Sequence, residues 1–451
     1  MGLTLDGTEA CVGHPTNGSR RGPAPCYELR PFGFGSAGTG PPVLRQRAEP
    51  VQQQNTVPDT APEHDVEHDD EHDDEHDDIM YPSAVPFVLA HLTCLAAIWT
   101  GVTWQALVIC AVLYWGRIFA VGAGYHRYFA HRAYATSRAF QFVLAVLSQS
   151  TLQKSVLWWA AKHRHHHLHS DTVEDVHSPR HKGFVYSHVG WIFARRHDAT
   201  DLVKIADFAR YPELMWLHRH ELVPGVVLAL ICLLVGGWPG LVVGFFWSTV
   251  LVYHGTFSIN SLAHVHGRKR YVTGDDSRNN WLLAFITMGE GWHNNHHACQ
   301  SSVRQGFRWW EIDLTFYLLR MLSWLRVIWD LKFPPTPVLR NEQRLASRVV
   351  NRAAAELAAR FNTERIALAI TSALEGSQLS ALQNRLVVAQ QCAADVLANV
   401  HLPHLPTRAE MLAQATAMFA RTPSIDEIVD RAYALVLDAI GARLAAIEVR
   451  A

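Results

Sequence analysis

Nine histidines and one asparagine are spaced as metal ligands are spaced. They fall in four short runs: His126-Arg-Tyr-Phe-Ala-His131, His163-Arg-His-His166-His167, Asn260-Ser-Leu-Ala-His264 and His293-Asn-Asn-His296-His297. On an α-helix, positions i, i+3 and i+4 share a face. His163, His166 and His167 therefore point one way, and so do His293, His296 and His297. Asn260 and His264 form an i, i+4 pair. His126 and His131 lie roughly 140° apart on an α-helix, so that pair needs a helix end or two ligand directions. Nine imidazoles and an amide exceed what one ion can use, and two ions are the natural count. Neutral imidazole suits zinc, iron, copper or nickel. A lone histidine is more often a surface or hydrogen-bonded core residue. Two copies of His-x-x-His-His beside a third box do not fit that plainer reading.

The elements that must position these runs are apolar. From Ile79 to Gly116, and again from Leu222 to Gly267, the chain has no Asp, Glu, Lys or Arg. A bilayer core needs about 20 apolar residues per helix. Each stretch divides once, at Thr100-Gly-Val-Thr-Trp104 and at Gly236-Gly-Trp-Pro-Gly240. Four spans are expected, at about 82–100, 104–122, 222–237 and 240–259, paired as two hairpins. The breaks inside the pairs carry no Lys or Arg, whereas the segments outside them hold Arg127, Arg132, Lys162, Arg164, Arg195, Arg196 and Arg268. The positive-inside rule then puts both termini and every histidine box on the cytoplasmic side. Ala139 to Ala161 reads as an interfacial or re-entrant helix leading into the second box.

Composition bounds the rest. The 451 residues carry a formal net charge of −1 and are 49% hydrophobic. Glu63 to Asp78, EHDVEHDDEHDDEHDD, holds eleven acidic residues, and without them the remainder carries +10. A basic body suits anionic headgroups or a phosphorylated substrate; no nucleic-acid partner is expected. Residues 1–78 are rich in Gly, Pro, Gln, Asp and His and read as a disordered tail. Residues 340–451 are Ala-, Arg- and Glu-rich with helical periodicity. Thr407-Arg-Ala-Glu410 and Ser424-Ile-Asp-Glu427 look like capping boxes there. The seven cysteines are scattered without a framework spacing and read as reduced.

A histidine-rich dinuclear site above a membrane core suggests iron and O2 acting on a lipid chain. An unactivated C–H bond offers no acidic proton and no electrophilic carbon to acid–base or nucleophilic catalysis. The metal must supply the reactivity, and the protein the orientation. Trp158, Trp159, Tyr253 and Phe257 are candidate walls for an acyl channel, although ordinary packing accounts for each singly.

In HRYFAH, HRHHH, NSLAH and GEGWHNNHH, in that order, the chain resembles the membrane-bound Δ9 fatty-acyl desaturases of the stearoyl-CoA type. The resemblance runs from about Pro82 to Leu331 and includes SDT-x-x-D and GFVYSHVGW. It implies an all-α membrane protein, four transmembrane helices under a cytosolic helical cap, with 79–335 as the desaturase domain. It implies a di-iron site held by His126, His131, His163, His166, His167, His264, His293, His296 and His297, with Asn260 reaching iron through water. The implied reaction consumes O2, two electrons and two protons, and leaves a cis double bond in a saturated acyl chain, an acyl-CoA at Δ9. Electrons would come from an external ferredoxin, rubredoxin or cytochrome b5 with its reductase. Arg195 and Arg196 stand where acyl-CoA enzymes keep basic residues for coenzyme A phosphates, and Trp159 matches an aromatic near the substrate entrance. Lys154, Ala161, Tyr253 and Phe257 depart from the family's pattern, which bears on carrier (coenzyme A, carrier protein or glycerolipid) and chain length. Asp171, Asp175 and Glu290 could orient ligand imidazoles. His165, His169, His177, His181, His188, His218, His220, His254 and His266 fit no ligand pattern, His188 being the nearest exception. The enzyme would be multi-pass, in the plasma membrane of a bacterium or the endoplasmic reticulum of a eukaryote.

Two other classes fit less of the sequence. A hydroxylase or ketolase of the same superfamily would share the boxes. A non-catalytic metal-binding or transport protein would place ionisable ligands within the spans, where the histidines are His91 and His254. A zinc-dependent membrane hydrolase would need neither iron nor O2.

Overall fold

The computed structural model describes residues 81–376 and 405–448. The expected disordered tail, with its EHDD tetrads, lies outside them, as does part of the C-terminal extension. The described chain is mostly helical, with one two-stranded pairing. In that pairing, β1 (Ala135–Thr136) runs antiparallel to β2 (Ile328–Trp329), Ala135 opposite Trp329.

Helix α1 (Tyr81–Cys94) is continued by a single turn, Ala97–Thr100. Helix α2 (Trp104–Ala120) begins where the Thr103 side chain accepts from Ala106 N. It runs without a break into a π-helix, Val121–Ala130. Helices α3 (Arg138–Gln149) and α4 (Val156–His169) come next. The expected single helix over 139–161 is therefore two. Leu152 and Lys154 take positive φ between them, and Ser155 caps α4 by accepting from Trp158 N. Neither Leu152 nor Lys154 is a residue type that announces a left-handed turn, which is why an apolar run concealed the break.

Helix α5 (Val223–Pro239) meets a π-helical stretch, Gly240–Trp247, that continues as α6 (Ser248–Asn260). At Gly237 (φ 59°, ψ −158°) the chain leaves helical geometry. The reversal is tight: a Cβ on Gly240 would lie 2.5 Å from Cys232 O. By length and composition, Trp104–Ala130 and Val223–Val265 are apolar enough to cross a membrane, and Ala84–Thr100 is a shorter apolar helix. One charge enters the expected second span, a feature that counting wholly uncharged stretches passes over. Arg117 is buried, and its Nη1 donates to Thr249 Oγ1 at 2.8 Å and Ser150 O at 3.4 Å, joining α2, α6 and the α3–α4 turn.

Helices α7 (His293–Ala298) and α8 (Leu314–Trp324) complete the site-bearing part. Its core centres on Tyr125, Phe129, Leu144, Leu157 and Leu319. Beyond it, α9 (Ser347–Ala358), α10 (Thr363–Gly376), α11 (Arg408–Met418) and α12 (Ile425–Glu448) enclose a second core that includes Val350, Leu357, Met411 and Ile428. Thr407 and Glu410 form the capping box that their spacing suggests. Ser424 Oγ accepts from Leu345 N at 2.9 Å, tying α12 to the segment before α9. Among the described residues, Cys94, Cys110 and Cys232 are free thiols.

The reversal makes one prediction. A backbone with φ near +60° and ψ near ±160° is essentially reserved for glycine, and another residue there costs about 1–3 kcal/mol. Gly237→Ala should lower the thermal unfolding midpoint in detergent by several degrees; an unchanged midpoint would mean that the turn is not held in this geometry.

Candidate metal centre

The first box lies on the π-helix. Its i→i+5 hydrogen bonding includes His131 N to His126 O at 3.1 Å, which folds five residues into one turn. His126 and His131 thereby share a face, their ring centroids 4.9 Å apart. The geometry that an α-helix denies this pair is supplied by a π turn at a helix end, His131 being the C-cap of the π-helix. The second box occupies the last turns of α4, and the third is α7, all six residues of which are buried. His264 sits in the short helix Leu262–Val265, just past Asn260 at the end of α6.

Two imidazole groups result. His126, His131, His163, His167 and His296 offer ring nitrogens that all lie within 4.8 Å of one another, and so do His166, His264, His293 and His297. In the first group the Nε2 atoms run His131–His163–His167–His296–His126 at 2.9, 3.0, 2.9 and 2.9 Å. In the second, His293 Nε2 stands 3.0 Å from that of His264 and 3.1 Å from that of His297. An ion holding imidazole at about 2.1 Å places adjacent ligand nitrogens about 3.0 Å apart when they subtend a right angle. The spacing is that of a coordination shell.

The opposite ring nitrogens show which lone pairs are bare. His166 Nδ1 faces Asp175 at 2.9 Å, His264 Nδ1 faces Asp171 at 2.7 Å, and His297 Nδ1 faces Asp275 at 2.8 Å. His126 Nδ1 contacts Glu290 Oε2. A carboxylate that accepts a hydrogen bond from Nδ1–H fixes the tautomer in which Nε2 of a neutral ring is unprotonated. His297 thus presents a lone pair to His293 Nε2, whereas Asp171 raises His264 to about 9 against the effect of burial, so that ring must shed its Nε2 proton to ligate. His166 Nε2 is buried with no partner. Buried polar atoms are normally satisfied, and a cation at each focus would satisfy these. The donor set fits two metal ions.

Charge follows the same logic. Burial, reinforced by neighbouring imidazoles, holds His131, His163, His167, His293 and His296 well below the usual histidine range. These rings stay neutral, as ligation requires. Burial alone would raise Glu290, but His126 and Arg127 bring it down to about 2. His166 and His264 likewise keep Asp175 and Asp171 well below the usual carboxylate range, against the effect of burial.

Non-ligand residues of the boxes tie the elements together. Arg127, fully buried, donates to Glu290 Oε1 at 3.0 Å, Asp313 Oδ1 at 2.9 Å and Val303 O at 2.7 Å. Arg164 takes Ala130 O at 2.9 Å and Phe129 O at 2.8 Å, closing the end of the π-helix onto α4. Asn294 Oδ1 accepts from Tyr271 N at 2.8 Å, and Asn295 Nδ2 donates to Glu311 Oε2 at 2.9 Å. The x positions of His-x-x-His-His are therefore anchors.

A cavity opens beside both groups. Its wall includes His126, His163 and His293, with Trp159, Asn260, Glu290 and the apolar Ile118, Val121 and Ile259. Trp159 stacks on His163 at 4.7 Å and on Tyr125 at 5.3 Å. The other three aromatics suggested as walls are not among its lining residues. Trp158 is buried against Trp191 and donates to His197 O at 2.8 Å. Tyr253 and Phe257 stack on each other at 5.6 Å. Arg195 and Arg196 are exposed on a short helix, Arg195–Asp198, and Arg196 donates to Tyr186 OH at 3.0 Å.

The sequence profile of the fatty acid desaturases matches residues 102–324. The sn-1 stearoyl-lipid 9-desaturase of Anabaena variabilis is 37% identical over 233 residues, which cover 51% of this chain and 85% of that protein. The chain belongs to the fatty acid desaturase family. The acyl-CoA C20 Delta5-desaturase of Anemone leveillei is 35% identical over 254 residues, 54% of this chain and 79% of its own. The Delta-9 desaturase-like 5 protein of Arabidopsis thaliana is 37% identical over 258 residues, 56% of this chain and 84% of its own. The protein is thus an oxidoreductase acting on acyl chains, with histidine clusters able to hold metal. A purely metal-transporting role falls away.

Two site residues escaped the sequence reading. Asp275 sits in Gly-Asp-Asp, a run that reads as an ordinary loop, yet it fixes His297. His177, read as structural, is buried beside His166 and Asp175, close enough to form a third cluster with them. His188 reaches Ser261 Oγ at 2.9 Å and His254 Nδ1 at 3.0 Å rather than either focus.

Two measurements test this arrangement. Removing a carboxylate that orients a ligand typically costs about 10–100-fold in metal affinity. Asp275→Asn should do so in competition with a chelator, and an unchanged affinity would remove Asp275 from that role. The depressed histidines bind fewer protons when folded than when unfolded, where they titrate near about 6.5. Stability of the metal-free protein should therefore fall as pH drops through that value and be fully present above it. A midpoint that is flat from neutral pH to about pH 5 would contradict the neutral-ring description.

Proposed function

We propose that this protein inserts a cis double bond at the Δ9 position of a saturated acyl chain, at a di-iron centre. The observation that carries the reading is the meeting of two imidazole groups beside one cavity with apolar walls. His126, His131, His163, His167 and His296 would hold one iron. His166, His264, His293 and His297 would hold the other, with Asn260, on the cavity wall, reaching it through water. Bound there, iron supplies the O2 chemistry needed to break an unactivated C–H bond. The substrate loses two vicinal hydrogens; O2, two external electrons and two protons complete the balance as two waters.

The chain's own residues supply placement. The cavity walls Ile118, Val121 and Ile259 would exclude water and hold the acyl chain beside His126, His163 and His293. Asp171, Asp175, Asp275 and Glu290 would accept from Nδ1–H and so fix the tautomer in which Nε2 of a neutral ring is unprotonated. Helices α1, α2, α5 and α6 would form four membrane spans in two hairpins, with α3, α4 and α7 in a cap on the cytoplasmic side. Both termini would lie there too. In this reading 79–335 is the desaturase domain and 340–451 a separate helical extension. An external ferredoxin, rubredoxin or cytochrome b5 would deliver electrons to the basic face.

For the carrier, exposed Arg195 and Arg196 suit coenzyme A phosphates. One observation favours a glycerolipid instead. Lys154 Nζ is engaged by Asp198 Oδ1 at 3.0 Å and Glu221 Oε1 at 3.6 Å, so it brings little net charge to a phosphate.

Expression in a host lacking its own desaturase, followed by mass spectrometry of fatty acids, tests the reading. A new cis-Δ9 monounsaturated acid is expected. His296→Ala should abolish the product while leaving membrane insertion intact, and retained product in that variant would sink the ligand assignment. Purified enzyme turning over stearoyl-CoA, rather than only a stearoyl glycerolipid, would decide the carrier.

A further inference from the structure

Helix α4 carries His166 and His167 in its last turn, where backbone carbonyls have no partner within the helix. Those carbonyls are taken from outside. Arg348 Nη1 donates to Leu168 O at 2.8 Å and its Nη2 to His167 O at 3.4 Å. Arg352 Nη1 donates to Ser170 O at 3.0 Å and its Nη2 to Leu168 O at 3.1 Å. Both arginines belong to α9, one turn apart and so on one face. Glu356, a further turn along, lies 4.0 Å from Lys269 Nζ. The opposite face of α9, with Val349, Val350, Ala353 and Leu357, is buried in the C-terminal core.

The seat of α9 is equally specific. Val272 belongs to that same core. Gly274 has φ +75°, and a Cβ there would lie 3.2 Å from the Arg352 Cβ and 3.4 Å from the Val349 Cα. The loop beneath α9 also bears Asp275, which faces His297, and Asp276, whose N donates to Asp171 Oδ2 at 2.7 Å. A single helix therefore rests on the end of the second box and on the loop that orients ligands of the second imidazole group. It lies beyond residues 102–324, which the family profile matches.

We infer that Arg348 and Arg352 are positioning residues for the metal centre, and that the C-terminal helical unit is a clamp on the second histidine box. Two guanidinium forks at the C-terminus of α4 satisfy its carbonyls and oppose its dipole. Without them the last turn frays, and His166 and His167 lose their alignment with His296 and His264. The inference rests on the ligand assignment proposed above.

The test uses the full-length chain, purified in detergent without metal and titrated with Fe(II). R348A/R352A should remain monodisperse and helical. Its amides in the last turn of α4 should exchange hydrogen faster, and its Fe(II) affinity should fall about 10–100-fold. R348K/R352K should recover part of the loss, since lysine keeps the charge but not the fork, and R360A should match wild type. If the alanine pair does not fold, R348A and R352A alone carry the test, each expected to lose several-fold in affinity. Wild-type Fe(II) affinity in the alanine pair, or in both single variants, overturns the clamp while leaving the ligand assignment standing. A wild-type chain that binds no Fe(II) overturns the assignment, and the clamp with it.

Discussion

Bare nitrogen lone pairs crowded at about 3 Å repel one another, and burial removes the water that would relieve them. That constraint governs the site. Protonation is the ordinary escape, but here burial and neighbouring imidazoles hold five of the rings well below the usual histidine range. Four further rings have their Nδ1 protons engaged by carboxylates. A cation at each focus would answer the facing Nε2 lone pairs together, and metal binding would then be coupled to the stability of this region.

Carboxylates and arginines make the arrangement rigid. Glu290 faces His126 and is itself held by Arg127, which also grips Asp313. Asp171 accepts from Asp276 N as well as facing His264. His126 and His264 are thus each held by a carboxylate that is itself held by a different segment of chain. The charges balance locally, which is what makes ionised groups tolerable at this depth. An imidazole that could swing would satisfy its lone pair elsewhere and loosen the shell.

The boxes with i, i+3, i+4 spacing were legible because an α-helix converts that spacing directly into a common face. His126 and His131 were legible as a candidate pair but not as a geometry, because five residues make one turn only in a π-helix, and no residue type signals that register. The reversal at Gly237 was marked by Gly-Gly-Trp-Pro-Gly. The break at Leu152 and Lys154 was not, since neither residue favours positive φ. Asp275 could not be found from sequence: it lies 22 residues before His297, and only the folded loop brings them together. The aromatic walls divided for a similar reason. Adjacent tryptophans on α4 point about 100° apart, which puts Trp159 on the cavity and Trp158 in a separate core.

The π-helix also explains how the first box can serve a cavity that continues among apolar helices. A wider turn shifts every later side chain relative to the α-helix that precedes it. Ile118 and Val121 stay in the apolar wall while His126, only five residues beyond Val121, already reaches the metal focus. An uninterrupted α-helix would separate the two histidines by roughly 140° and turn one of them out of the shell. The local irregularity is therefore what lets one helix carry both apolar wall of the cavity and two imidazoles, and π-helical turns recur at functional sites for this kind of reason. The same stretch is closed by Arg164 from α4, so the register of the first box and the position of the second are set by one contact.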